Sequence, residues 1–333
     1  MLRFLIRRII AMIGLLIATS IVTFALFNFG PADPAADSCG KACSPERIVE
    51  ARVALGMNKP LVTQYLEYMR GIVMGRHMGA PSARYWCSWP CFGTSFRLSN
   101  TPVWSLMKTA IPYTVSLAIG AAIIWLIVGV LLGIAAGLHR GKLIDRIAVG
   151  FSSIGVSMPV PVLGMLLMLV FCVTKVIQFP SSRTNAPWGP GGPLGFLDNF
   201  ILPWTTLAIL FMASYVRITR TSILETMGED YIRTARAKGL RPRLVTFKHG
   251  LRAAITPIVT MFGMDLGAVL GGAVLTETIF GLPGLGQLSV NAVNNEDLPI
   301  IMSVVLFAAF FIIVANIVVD IVYALIDPRV RLQ

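Results

Sequence analysis

Six long stretches of the sequence contain almost no charged residues, and they constrain the fold more than any other feature. They cover residues 9–27, 109–138, 147–174, 199–216, 253–276 and 298–326, and their only charges are Asp265 and Asp320. A helix needs roughly 17–25 mostly apolar residues to cross the hydrocarbon of a bilayer. All six stretches meet this requirement, so the sequence predicts an all-α integral membrane protein with six transmembrane helices.

The overall composition agrees with this interpretation. Charged residues make up 13% of the chain and the mean hydropathy is +0.76, whereas a soluble domain carries about 25% charge. The first stretch also resembles a secretory signal, because three arginines precede it. A signal core has roughly 7–15 apolar residues, and this stretch is longer, which favours a retained helix.

The basic residues predict the orientation. If the N-terminus is cytoplasmic, seventeen of the 28 Lys and Arg residues fall in cytoplasmic segments. The two short external loops then hold only Lys175 and Arg183. Cytoplasmic loops are enriched in Lys and Arg, so both termini are predicted to be cytoplasmic. The net charge of +12 then reflects topology and anionic lipid, and no nucleic-acid-binding motif accompanies it.

The chain is thereby divided into three regions. Residues 1–28 form the first transmembrane helix and residues 29–108 form a large external loop. Residues 109–333 form a five-helix core that contains a basic cytoplasmic loop at 217–252. Within the external loop, helical spacing and a Ser44-Pro45-Glu46 start predict a short amphipathic helix over 44–57, with a second over 61–73. Residues 79–100 are expected to be irregular.

Two patterns within the membrane stretches indicate how the helices pack and bend. Gly129, Gly133 and Gly137 recur every fourth residue, which lets two helices approach closely in lipid; packing within one subunit is favoured over a subunit interface. Pro159 and Pro161 lie inside the third stretch. Proline frees backbone groups that need partners in a bundle or a cavity, so a kink near a functional pathway is predicted.

The sequence contains no motif for catalysis. It lacks a phosphate-binding G-x-x-x-x-G-K-[ST] loop, H-E-x-x-H and G-x-S-x-G. His77, His139 and His249 all fall in loops, so neither an intramembrane metal site nor a metal cofactor is expected. The chain is therefore not expected to be an enzyme.

One cytoplasmic segment carries the functional interpretation. Glu229 and Asp230 begin it, which favours a helix N-terminus, and Gly239 and Pro242 end it. The rest of the helix has the basic residues Arg233, Arg236 and Lys238. Tyr231, Ala235 and Lys238 share one face, and the small Ala235 on that face, near Gly239, is expected to let a partner approach closely. The alternative is a solvated basic loop, or a loop that lies on lipid headgroups.

Here the sequence resembles a known family. The segment 231–239 is similar to the EAA-type coupling loop of ABC importer permeases, and the longer spacing from Gly239 to Pro257 resembles that of the dipeptide/oligopeptide/nickel branch, in particular its oligopeptide permease B-type subunit. Three further segments resemble this branch: residues 44–48 with 55–61 and 64–65, residues 277–286, and Asp320 with Tyr323 and 327–329. Thr256, Asp265 and the cysteine-containing stretch 85–91 depart from the pattern.

The resemblance implies a bacterial inner-membrane permease that forms the translocation path for peptides delivered by an external binding protein. It implies a heterodimer with a second permease subunit and two ATPase subunits that bind ATP and Mg²⁺, while this chain binds no cofactor. The coupling residues implied are Glu229, Asp230, Tyr231, Arg233, Ala235, Arg236, Lys238 and Gly239.

Two alternatives remain open. The same machinery would carry nickel or another small solute, although the membrane stretches contain no histidine. An ion-coupled secondary transporter would need carboxylates in the membrane, and only Asp265 and Asp320 qualify. In the importer interpretation, Asp265 lines the translocation path and meets the amino end of a peptide, or else makes a buried structural hydrogen bond.

Four cysteines lie in the external loop: Cys39, Cys43, Cys87 and Cys91. An oxidising compartment favours disulfides over a metal site, and three pairings are possible. A bridge between the two groups closes a long loop and is worth roughly 4 kcal/mol in the chain-entropy model, whereas a bridge within either group closes a very short ring and stabilises little. Two bridges joining Cys39 and Cys43 to Cys87 and Cys91 are therefore predicted, with Cys172 free.

Overall fold

The computed structural model describes residues 2–29, 35–36, 44–79, 85–98, 101–173 and 192–326. These residues are predominantly helical. The helices are α1 (Leu2–Phe29), α2 (Pro45–Ala54), α3 (Leu61–Met74), α4 (Val103–Leu138), α5 (Leu143–Ser157), α6 (Val160–Met168), α7 (Gly192–Gly228), α8 (Asp230–Ala237), α9 (Pro242–Leu244), α10 (Leu251–Ala254), α11 (Thr256–Leu270), α12 (Val274–Phe280), α13 (Leu285–Asn294) and α14 (Leu298–Ile326), with π-helical turns at Leu169–Val173 and Val245–Gly250.

Four of these helices are long and apolar enough to cross a membrane. The candidate spans are Ile9–Leu26, Val103–Leu138, Asn199–Gly228 and Leu298–Val319. Two bent pairs of helices bring the number to six if each pair is one span. In one pair, Leu143–Ser157 and Val160–Phe171 meet at 104°; in the other, Pro242–Ala254 and Thr256–Leu270 meet at 45°. The part of the chain that the structure describes therefore has between four and six candidate spans.

The described chain divides into two compact units. The first comprises Met1–Thr114 and Pro283–Phe311, and the second comprises Val115–Leu282 and Ile312–Gln333. In the first unit, α3 packs on α1 through aromatic and polar contacts. The Tyr65 hydroxyl lies 2.7 Å from the Ser20 hydroxyl, and the Phe24 ring meets the Tyr65 ring at 5.5 Å. Tyr68 is buried against Met302 and Leu306 of α14.

The two short helices predicted between residues 44 and 73 are confirmed. α2 begins with Pro45, and the Ser44 side chain accepts a hydrogen bond from the Arg47 amide at 3.5 Å, as a helix cap does. Pro60 precedes α3, and Gly75 follows it with a φ of 79°. Positive φ strains residues that carry a Cβ, so this glycine lets the chain turn directly into a strand.

The all-α prediction was wrong in one place, and so was part of the predicted irregular stretch 79–100, because the structure contains a short β-hairpin. Strand β1 (Arg76–Met78) pairs antiparallel with β2 (Tyr85–Cys87), with His77 opposite Trp86. The imidazole and indole rings of this pair meet edge to face at 4.8 Å. Such cross-strand aromatic contacts stabilise a hairpin, and three residues per strand are too few to show the alternation that marks a strand in sequence.

The predicted disulfide pairing was also wrong. Cys87 is bonded to Cys91, and their Cα atoms lie 5.6 Å apart, within the usual range for a bridge. The chain reverses direction directly after β2, which brings the two cysteines together without any contribution from the start of the loop. Because each cysteine forms one bond, neither Cys87 nor Cys91 pairs with Cys39 or Cys43. Those two cysteines lie outside the described residues, as does the side chain of Cys172.

In the second unit, α4 and α7 pack along their length through the predicted glycines. A Cβ atom at Gly129 would lie 2.8 Å from the Tyr215 Cβ, and one at Gly133 would lie 2.5 Å from the Thr219 Cβ. Real Cβ atoms essentially never come so close, so the helices can approach only because these positions lack side chains. The prediction that these glycines serve packing within one chain is confirmed.

Candidate functional site

The candidate coupling segment lies at the end of α7. Gly228 ends α7, and α8 starts at Asp230 with Glu229 at its cap position. Asp230 stands in the first turn and Arg236 in the last turn, which suits the helix dipole. Gly239 adopts a φ of 75°, and Pro242 begins α9. The predicted short helix and its two ends are confirmed.

One side of α8 is buried against its own chain. Ile232, Ala235 and Val245 form a cluster, with Met227 packed against it, and Ile232 and Ala235 are 0% and 7% exposed. The prediction that Ala235 offers a face to a partner was therefore wrong. An alanine is small enough for close approach, and the chain uses that closeness to seat α8 on its own π-helical turn. This packing holds α8 in place on the chain.

The opposite side of α8 is exposed and carries three basic residues. Its exposed residues are Tyr231, Arg233, Thr234, Arg236, Ala237, Lys238 and Gly239, next to the exposed Glu229 and Asp230. Arg233 makes only a loose ion pair with Asp230, at 3.4 Å. Partial burial, and secondarily the negative charge of Glu229, raise the pKa of the Tyr231 hydroxyl, so Tyr231 remains a neutral donor. A cleft of about 250 Å³ adjoins this surface and is lined by Met227, Arg236, Leu240, Pro242, Val245 and Thr246.

Asp265 lies on α11 and is held by α7. The Tyr215 hydroxyl donates a hydrogen bond to Asp265 Oδ2 at 2.9 Å. Tyr215 is almost fully buried beside Trp125, whereas Asp265 is half-buried next to Met264, which is 52% exposed. The carboxylate is thus anchored on one side and lies next to an exposed face of the helix. The structural hydrogen bond expected as an alternative is present, and it leaves room for a role in the path.

The two prolines of the third stretch break it completely. α5 ends at Ser157, Pro159 caps α6, and Pro161 lies in the first turn of α6. The kink predicted from the sequence is confirmed, and its angle of 104° means that residues 147–171 do not form one straight helix. α6 packs on α12, where Gly164 lies opposite Ile279 and Phe280.

Some polar residues at helix ends were missed by the sequence analysis. Asp297, which is 2% exposed, accepts hydrogen bonds from the Ser95 hydroxyl and from the amides of Phe96 and Arg97. It stands directly before Leu298, at the start of α14, where an aspartate is a common cap. That position was a usable signal, but the partner loop lies about 200 residues away in sequence.

Comparison with known proteins gives matches over the whole length of the chain. The family model described as "Binding-protein-dependent transport system inner membrane component" matches residues 129–332, and its companion N-terminal model matches residues 1–118. The dipeptide transport system permease protein of Escherichia coli (strain K12) is 36% identical, covering 99% of each chain. A di/tripeptide transport system permease protein of Pseudomonas aeruginosa is 34% identical, covering 100% of each.

A probable peptide ABC transporter permease protein of Sinorhizobium fredii is 35% identical, covering 98% of this chain and 99% of the relative. Among solved structures, an amino acid ABC transporter with histidines aligns with a TM-score of 0.48 at 17% identity. That alignment covers 68% of this chain and 94% of the other.

Proposed function

The chain belongs to the family of binding-protein-dependent transport system inner membrane components, and from this premise we propose that it is the peptide-conducting permease subunit of an ABC importer. Family members are inner-membrane subunits of ABC importers, and the chain is accordingly a multi-pass protein of the inner membrane. The full-length similarity to permeases named for dipeptides and di/tripeptides carries the peptide assignment.

The proposed topology has six spans with both termini in the cytoplasm. It counts each of the two bent helix pairs as one span, in addition to the four long helices. The distribution of Lys and Arg supports this orientation. These residues are concentrated at the two ends of the chain, in 140–146 and in 217–252, and these segments then all lie on the cytoplasmic side. The loop at 29–108 is then external, where the Cys87–Cys91 bridge is chemically stable.

In this topology α8 is the coupling helix. Its exposed residues Glu229, Asp230, Tyr231, Arg233, Arg236, Lys238 and Gly239 would contact an ATPase subunit. Ala235 supports the helix from beneath through the cluster with Ile232 and Val245. A helix seated in this way can transmit a displacement, since its buried side cannot move without the chain on which it packs.

Asp265, Pro159 and Pro161 are proposed to lie along the translocation path. Asp265 has one anchored carboxylate oxygen, and the other can meet the ammonium group of a peptide. Carboxylates in membrane segments are costly unless they serve a cavity or a partner. The break at Pro159 frees backbone groups that are tolerated where a helix borders a cavity.

Chemical energy enters through partner proteins in this proposal. The sequence contains no phosphate-binding loop, so ATP and Mg²⁺ would be bound by two ATPase subunits, and this chain would neither hydrolyse ATP nor bind a cofactor. A second, similar permease subunit completes the path, and an external binding protein delivers the peptide. Lipid surrounds the spans, and nucleic acid is not a partner.

Uptake in proteoliposomes tests the proposal. The complete transporter, with its cognate binding protein outside and ATP inside, should accumulate a labelled dipeptide, and an excess of unlabelled peptide should compete. Collapse of the proton and sodium gradients should leave uptake intact, because ATP drives it. Uptake that needs an ion gradient and no ATP would support the ion-coupled alternative, and transport of nickel without any peptide would replace the substrate assignment.

A further inference from the structure

A partly buried ion pair joins the start of α5 to the cytoplasmic part of α7. Asp145 stands in the first turn of α5, and its side chain is 7% exposed. Arg220 donates from Nε to Asp145 Oδ1 at 2.5 Å and from Nη2 to Oδ2 at 3.0 Å. This two-point geometry is stronger and more directional than a single contact between charges.

The same carboxylate also holds the turn between α4 and α5. The Gly141 amide donates to Asp145 Oδ2 at 2.8 Å, and Gly141 has a φ of 79°. The turn is closed further by the Lys142 amide, which donates to the His139 carbonyl at 3.0 Å. Asp145 therefore ties together the end of α4, the start of α5 and α7.

Other close contacts join the same three helices. A Cβ at Gly137 of α4 would lie 2.8 Å from the Ile223 side chain on α7, and one at Gly155 of α5 would lie 2.6 Å from the Ala213 Cβ. The Ser152 hydroxyl donates to the Ala213 carbonyl at 2.6 Å. Glycine contacts oppose compression but resist sliding weakly, whereas a two-point ion pair fixes the register of α5 on α7 as well.

The coupling helix continues from this assembly. α7 extends without a break past Arg220 to Gly228, and Met227 at its end packs against Ile232 and Val245. Arg220 and Met227 are about two helical turns apart. A displacement of α8 therefore reaches α7 first, and it reaches α4 and α5 through the contacts around Arg220.

We propose that Asp145 and Arg220 are positioning residues that clamp α4, α5 and α7 into one block, which moves with α8. The inference rests on the proposed function, in which α8 receives the stroke of an ATPase. Without the clamp, α8 still docks on the ATPase, but its displacement is partly absorbed by slippage of α7 against α5. ATP hydrolysis then becomes uncoupled from the state of the binding protein.

Hydrogen exchange of the full chain in lipid nanodiscs tests the clamp without any transport assay. Asp145→Asn keeps the shape and an acceptor for the Gly141 amide but removes the charge. The rate of amide hydrogen exchange should rise about tenfold in peptides that cover the 139–146 turn and also in those that cover α8. Arg217→Gln is the matched control, because Arg217 is exposed on α7 one turn earlier, and it should change neither region. A rise confined to the turn would overturn the positioning of α8.

The assembled transporter tests the functional consequence. The Asp145→Asn complex should retain its ATPase subunits. The stimulation of ATP hydrolysis by the loaded binding protein should fall about fivefold. Arg220→Lys should lose less than Arg220→Gln, because it keeps the cation and one donor; if Asp145→Asn fails to assemble, this pair is used for both measurements. Full stimulation per assembled complex in the variants would overturn the proposal. A wild-type complex without any stimulation would instead contradict the proposed function, while the exchange result still decides the clamp.

Discussion

Asp265 and Asp297 both have carboxylates that are at least partly buried, but their surroundings differ. Asp297 is almost fully buried and accepts from a hydroxyl and two backbone amides in the loop before α4. A carboxylate surrounded by donors in this way is a structural anchor. Asp265 is only half-buried and accepts from one described donor, the Tyr215 hydroxyl. It therefore retains acceptor capacity for a ligand, which is why the proposed path includes Asp265 and not Asp297.

Substitution of Asp265 separates its charge from its hydrogen bond. Asp265→Asn keeps an oxygen that can accept from Tyr215, so the thermal midpoint of the protein should change little. If the carboxylate meets the amino end of a peptide, transport should weaken for peptides with a free amino end and remain unchanged for N-acetylated peptides. Initial uptake rates for matched free and acetylated peptides measure this difference. Equal rates for variant and wild type with every peptide would remove the charge from the mechanism, and Tyr215→Phe would then report the structural role alone.

At the scale of elements, the glycines of α4 determine how closely α7 can pack. At Gly133 a new Cβ would lie 2.5 Å from the Thr219 Cβ and 2.9 Å from the Val216 carbonyl oxygen. The backbone atom cannot rotate away, so Gly133→Ala should separate the two helices and lower stability by roughly 1–3 kcal/mol.

Thermal unfolding in nanodiscs checks this prediction with a control on α5. Gly150 is also in a helix but has no atom within 4 Å of the position of a new Cβ, so Gly150→Ala should leave the midpoint unchanged or raise it slightly. A Gly133→Ala variant as stable as wild type would mean that α4 and α7 pack less closely than described.

The end of α8 offers a second test at this scale. Gly239 has open space around it but a φ of 75°, so every side chain there meets backbone strain in addition to its bulk. Asparagine tolerates this conformation better than other residues, which makes Gly239→Asn the control for Gly239→Trp. Gly239→Trp should abolish co-purification of the ATPase and transport, because the indole covers the exposed contact surface, while Gly239→Asn should retain most of both. Normal transport in the tryptophan variant would refute the coupling role.

For the whole molecule, the properties that can be predicted from sequence are those that depend on contact with lipid or water and on neighbouring residues in the chain. The apolar stretches predict the candidate spans, and the caps of α2 and α8 follow from Ser44, Gly239 and their neighbours, because local chemistry decides them. Contacts between residues that are distant in sequence could not be predicted. Asp145 and Arg220, for example, are 75 residues apart. Ala235 was assigned to the wrong side of α8 because the buried side depends on Val245, whose position follows from a π-helical turn with no sequence signal. The Cys87–Cys91 bridge depended on a chain reversal that composition does not reveal.

The last prediction concerns the number of membrane crossings, which depends on the pair α5 and α6. Their angle of 104° is compatible with a broken span and with a segment that returns to the same side. Reporter fusions after residues 142, 189 and 333 distinguish the two, although residues 189 and 333 lie outside the described structure. A crossing pair places 142 and 333 in the cytoplasm and 189 outside, as the scarcity of Lys and Arg near residue 189 favours. Fusions after 189 should therefore give active alkaline phosphatase, and those after 142 and 333 should give fluorescent green fluorescent protein. Cytoplasmic signals at both 142 and 189 would make the pair re-entrant and remove one of the six spans.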